Sequence, residues 1–170
     1  MKELINAIQI SLQNKNWYAA LFLAIALPDI CSKLECPKST KTAGRYIVWF
    51  NRYLSGKYIH NVGPEHKKHI FLTGENCYAL RCSYLHEGSD EIGQQPCHKI
   101  LDKFAFVAEK RYHCNYLDNG VKKSLQLNVE MFCNEICSAV EKWIDDTSND
   151  KGIQKRISKM LKIHISGIKI

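Results

Sequence analysis

Within Ala79-Leu-Arg-Cys-Ser-Tyr-Leu-His-Glu-Gly88 an arginine and a histidine, Arg81 and His86, stand five positions apart. Together these residue types can hold an anion and move a proton. A guanidinium offers a planar fork of donors that fits carboxylate or phosphate, and an imidazole changes charge near neutral pH. The segment reads as a helix whose apolar stripe is marked by Cys77, Leu80, Tyr84 and Leu85. At about 100° per residue, Arg81 and His86 fall roughly 140° apart around its axis. Arg81 therefore projects between Cys77 and Leu85, where an ordinary surface arginine should not be. A buried charge needs a partner or a ligand. Glu75 and Asp29 are candidate carboxylates for a purely structural role, and His86 can serve as a positive cap on the last carbonyls of its helix.

The elements that must position this pair are mainly helical. Leu4, Ile5, Ile8 and Leu12 recur at helical spacing and predict a first short amphipathic helix. Asn16 can cap a second helix running through Tyr18, Leu21, Phe22, Ile25 and Ala26. Pro28 is expected to kink or restart that helix before Asp29, Ile30 and Leu34. An aromatic-rich helix over 44–53 follows a turn at Pro37, and residues 55–70, polar and holding Gly56, Gly63 and Pro64, read as a loop or short turn. Thr73 and Gly74 open the Arg81 helix and Gly88 is placed to stop it. Apolar or alternating runs at Phe104-Ala-Phe-Val107 and Ser124-Leu-Gln-Leu-Asn-Val129 predict an antiparallel β-hairpin around 103–129, with a turn signal at Asp118-Asn-Gly120. A long helix through Phe132, Ile136, Val140 and Trp143 comes next. The expected fold is mainly α, a helical bundle with a small antiparallel β-hairpin insertion. Residues 1–150 form one domain and residues 151–170 a basic amphipathic segment.

The chain has 170 residues, 45% of them hydrophobic, enough for one substantial core. Its net charge is +7, of which Lys151, Lys155, Arg156, Lys159, Lys162 and Lys169 supply six, leaving +1 on residues 1–150. A localised basic segment of this kind attracts nucleic acid, through Lys155, Arg156, Lys159 and Lys162, or forms the solvated face of a helix. Eight cysteines raise the question of disulfides or zinc. The opening Met1-Lys-Glu-Leu lacks the pattern of a signal peptide, and the apolar run over 18–28 is too short to span a bilayer. We therefore expect a cytoplasmic location, reduced thiols and no membrane partner. No cysteine pair forms a close Cys-x-x-Cys knuckle, although Cys97-His98 and His113-Cys114 could offer loop ligands. No metal site and no cofactor is assigned.

The pattern Arg81-Cys-Ser-Tyr-Leu-His86 resembles the arginine, four-residue spacer, histidine motif of HEPN domains, α-helical bundles of which many are metal-independent ribonucleases. Leu27-Pro-Asp-Ile-Cys-Ser-Lys-Leu-Glu35, Arg45-Tyr-Ile-Val-Trp-Phe50, residues 72–81 and Phe132-Cys-Asn-Glu-Ile-Cys137 also resemble segments of a family of uncharacterised bacterial proteins. The HEPN resemblance implies Arg81 and His86 as catalytic residues, with Cys82 and Ser83 as local contacts. It also implies a homodimer in which two copies of the helix share one cleft, and RNA as substrate, in phage defence or in a toxin system with an antitoxin or other protein partner. In such a site histidine takes or gives the proton while arginine steadies charge on the phosphate. Active HEPN ribonucleases usually carry asparagine or aspartate directly after the arginine, whereas Cys82 stands here. The alternative is a non-catalytic dimeric module that binds RNA, nucleotide or protein.

Overall fold

Asn16 accepts a hydrogen bond from the Ala19 amide at 3.3 Å and so opens the helix around which the others pack. The computed structural model describes residues 1–95, 101–109 and 111–164. Its helices are α1 (Lys2–Gln13), α2 (Trp17–Glu35), α3 (Thr42–Tyr53), α4 (Gly74–Glu87), α5 (Val129–Asp146) and α6 (Lys151–Ile157). The strands are β1 (Ile59–Val62), β2 (Lys67–Ile70), β3 (Lys103–Val107), β4 (Asn115–Asp118) and β5 (Lys123–Asn128). Helix α2 touches every other helix. Its Ala20, Leu21, Ala24, Ile25, Leu27 and Cys31 are buried, which is why its sequence is apolar on most sides. The mainly helical class expected from the sequence is present, with two small sheets among the described residues.

The helix does not stop at Pro28. Proline removes one backbone donor, but Pro28 is itself buried and α2 continues unbroken to Glu35. Core packing outweighs the lost bond, and this continuity is what carries Asp29 into the bundle. By length and composition alone α2 could pass for a membrane span. Here Leu21, Ile25, Leu27 and Cys31 are buried against the core, whereas Tyr18 and Phe22 stay exposed.

Two further expectations are corrected. Residues 55–70 hold more than a loop or short turn: a 3₁₀ turn over Ser55–Tyr58 leads into the antiparallel hairpin β1–β2, with Ile59 opposite Ile70 and Val62 opposite Lys67. Six of its eight strand residues are exposed, so no apolar alternation marked it. The turn uses positive φ at Gly63 (72°) and His66 (49°). The second correction concerns 103–129, where the two strands expected to form an antiparallel hairpin lie parallel, Phe104 opposite Leu125 and Phe106 opposite Leu127. The hairpin partner of β5 is the short β4, giving the order β3-β5-β4. Its turn matches the signal in the sequence: Asp118 Oδ1 accepts from the Gly120 amide at 2.9 Å, and Asn119 Oδ1 accepts from Lys122 at 2.7 Å.

The basic segment is shorter as a helix than its pattern implies. Helix α6 ends at Ile157, and residues 161–164 are irregular and exposed. Ile153 is buried with the main core, and Arg156 donates from Nε to the Leu34 carbonyl of α2 at 2.6 Å.

Candidate functional site

Helix α4 is set by both of its ends. Thr73 accepts from the Asn76 amide at 3.2 Å, and Gly88 turns left-handed (φ 65°) while its amide reaches the Ser83 and Tyr84 carbonyls. That backbone cap satisfies the helix end which His86 was expected to cap. The imidazole is free to turn elsewhere, and it turns to Arg81: the two side chains meet with Nη1 and Nε2 at 3.1 Å. The length of the arginine side chain closes the angular gap that made the pair look separate on one helix. A single chain therefore joins them, and no second copy is needed for their contact. Guanidinium has donors only, so His86 Nε2 is the acceptor and the ring proton sits on Nδ1.

Of the two candidate carboxylates, Asp29 receives Arg81, from Nη2 to Oδ2 at 2.7 Å. Its other oxygen, Oδ1, accepts from Arg45 Nη2 at 2.8 Å. Arg45 is tied in turn by Nη1 to Thr42 Oγ1 at 3.0 Å. Three helices thus meet in one alternation of charge, Arg45–Asp29–Arg81, whose side chains are 10%, 14% and 19% exposed. His86 lies at its solvent end. Both Nε atoms are buried with no hydrogen-bond partner among the described residues. Arg45 is the member that sequence reasoning missed; its spacing of sixteen residues from Asp29 carries no local signal.

The remaining candidates fall in different places. Ser83 is buried and donates from Oγ to the Glu91 carbonyl at 2.6 Å, so it pins the loop after α4 and does not serve the arginine. Cys82 is half-buried beside Tyr78, whose hydroxyl is pushed up to about 12 by burial and then by its hydrogen bond to that thiol. Glu75 sits on the first turn of α4, well before Arg81 in the chain. Beneath the cluster, Tyr46 and Cys77 are fully buried and lie 3.3 Å apart, oxygen to sulfur. Burial raises the Cys77 thiol to about 12, so it is a packed neutral group, not a nucleophile. Lys155, Lys159 and Lys162 are exposed, whereas Arg156 is half-buried and committed to Leu34.

No family model, curated protein or solved structure matches this chain.

A second polar cluster, also invisible in the sequence, joins the sheet to the bundle. The buried Tyr58 hydroxyl donates to Glu135 Oε2 at 2.5 Å, and His113 Nε2 lies 3.5 Å from the same oxygen. His113 Nδ1 accepts from the Asn128 amide at 3.3 Å, which puts the ring proton on Nε2 facing Glu135. The neighbouring Cys114 thiol is raised to about 12 by burial and by Glu135. Tyr58 and Asn128 are hydrogen-bonded in this cluster, whereas the buried His113 Nε2 faces Glu135 without a hydrogen bond among the described residues. Among the described residues the cysteines are free thiols, and Cys97-His98 lies outside the described residues.

Proposed function

We propose that this chain is a metal-independent endoribonuclease of HEPN type, with Arg81 and His86 as its reacting pair. One observation carries the reading: an arginine anchored on Asp29 presents a second nitrogen to an exposed imidazole at 3.1 Å. A phosphodiester arriving at the exposed end of α4 takes the place of His86 on Nη1, and Nε2 becomes available as a base. It accepts the proton of the ribose 2′-hydroxyl, and the 2′-oxygen attacks the adjacent phosphorus. The bond from phosphorus to the 5′-oxygen breaks, leaving a 2′,3′-cyclic phosphate and a 5′-hydroxyl. Arg81 balances the charge gathered on the non-bridging oxygens.

One histidine takes up a proton, and the departing 5′-oxygen needs one. In a homodimer a second His86, entering the step as imidazolium, would supply it, so one ring starts neutral and the other charged and they exchange states. The α2 face beside α4 suits such pairing, since Tyr18 and Phe22 are 79% and 49% exposed and Phe22 meets the Tyr84 ring at 5.7 Å.

The test is cleavage of single-stranded RNA in excess EDTA, with the product ends identified by mass. Cleavage should persist and give cyclic phosphate ends. His86→Ala should lower the rate on the order of 10²–10⁴-fold. Equal rates for wild type and a folded His86→Ala would reject the reading. What then stands is a non-catalytic RNA-, nucleotide- or protein-binding module. Cys82 favours that second reading, because a thiol beside Tyr78 replaces the polar residue usual in active HEPN enzymes.

A further inference from the structure

We propose that Arg45 is a positioning residue of the Arg81/His86 site: through Asp29 it aims the Arg81 guanidinium, and it keeps the site net positive. The inference deepens the ribonuclease reading and rests on it for its catalytic meaning.

The first argument is geometric. A carboxylate held by one arginine can turn and offer either oxygen. Asp29 is held at both oxygens, and Arg45 is itself fixed to Thr42 at the start of α3. Oδ2 is therefore presented to Arg81 in one orientation. Because guanidinium is planar and rigid, fixing Nη2 also fixes the direction of Nη1, which points at His86. The second argument is charge. Neither arginine can lose its proton, so one carboxylate between two arginines leaves a surplus of one positive charge. Arg81 paired with Asp29 alone would be neutral as a unit and would draw a phosphodiester weakly. The third argument is access. The Arg45 side chain is 10% exposed, so it acts through Asp29 and not by touching a polymer. An ion pair serving stability alone needs one arginine, and a second buried cation adds desolvation cost without a second carboxylate.

The experiment uses the full chain with Arg45→Met, which keeps the apolar stem, and Thr42→Val, which only loosens Arg45. Thermal melts verify folding, and ¹⁵N chemical shifts of the His86 ring report its tautomer. Wild type should show the Nδ1–H form with Nε2 accepting. Arg45→Met should show averaged ring nitrogens, and Thr42→Val a smaller shift in the same direction. On single-stranded RNA, Arg45→Met should lose on the order of tenfold in kcat/KM, mostly through KM, about the strength of one charge-assisted contact. Its dependence of affinity on salt should flatten, because the site loses its surplus positive charge, and Arg81→Ala should flatten it too while also losing the direct contact. An unchanged His86 tautomer in folded Arg45→Met would overturn the positioning role, and an unchanged KM would overturn the charge role. A wild-type protein that cleaves nothing would sink the ribonuclease reading by itself, since the tautomer comparison still decides Arg45.

Discussion

Asp29 is surrounded by two guanidinium groups at 2.7 and 2.8 Å, and its side chain is 14% exposed. Removing its charge while keeping its shape leaves two arginines facing each other with little water to screen them. Breaking a buried pair from one side costs about 3–5 kcal/mol, because the partner's charge stays behind. Here two partners stay behind. We expect Asp29→Asn to lower stability in urea by about that amount, and the double variant Asp29→Asn/Arg45→Met to regain part of it. If the single variant is as stable as wild type, the three-residue cluster is not a coupled unit. The neighbouring Cys77 and Tyr46 are packing groups, held neutral by burial.

The placement of α4 and of the sheet depends on short-range caps made by residues that look unremarkable. Asn128 is the clearest case. Fully buried, it ends β5, accepts from the Met131 amide at 2.8 Å to start α5, and donates to the Val107 carbonyl at 3.3 Å. One amide side chain thus joins β3, β5 and α5. Asn128→Ala removes a helix cap, a loss of about 1 kcal/mol, and takes a donor from the half-buried Val107 carbonyl, at about 1 kcal/mol more. We expect roughly 2 kcal/mol less stability, with hydrogen exchange faster in β3 and at the start of α5 and little changed in α4. Uniformly faster exchange would show instead that sheet and bundle open together. Asn128→Asp keeps the cap but sets a buried carboxylate against the Val107 carbonyl, and should be at least as destabilised as Asn128→Ala.

At the scale of the whole molecule the basic segment divides into two parts. Helix α6 belongs to the core, with Ile153 buried and Arg156 bound to the carbonyl of Leu34. Beyond it, Lys159 and Lys162 are exposed. Truncation after Asp150 should therefore destabilise the fold, by about 1.5–3 kcal/mol for the buried isoleucine alone. Truncation after Ser158 keeps α6 and should leave the melting temperature nearly unchanged. If RNA contacts the exposed lysines, this shorter truncation weakens binding and flattens its salt dependence. Identical affinity with and without residues 159–170 would assign RNA contact to another surface.

Much of this was legible in the sequence where one residue acts on its near neighbours. Asn16, Thr73 and Gly88 begin or end helices through bonds to amides and carbonyls a few positions away, so their types and places sufficed. The Asp118-Asn-Gly120 turn and the apolar repeat of α5 were readable for the same reason. The importance of Arg81 followed from a charge on an apolar stripe, and Asp29 was among its possible partners. What no local rule contained was the meeting of distant segments. Whether β5 pairs parallel with β3 or antiparallel depends on β4, a four-residue strand too short to announce itself. The continuation of α2 through Pro28 depends on packing from helices far along the chain. The site itself needed both: α2 carried past its proline brings Asp29 to Arg81, and α3 laid across it brings Arg45 to the other oxygen. Side-chain reach then joins Arg81 to His86, which helical angle alone had set apart. Sequence determined which groups could carry charge and proton; tertiary packing decided which of them share a carboxylate, because Coulomb and hydrogen-bond energies depend on distance in space, not along the chain.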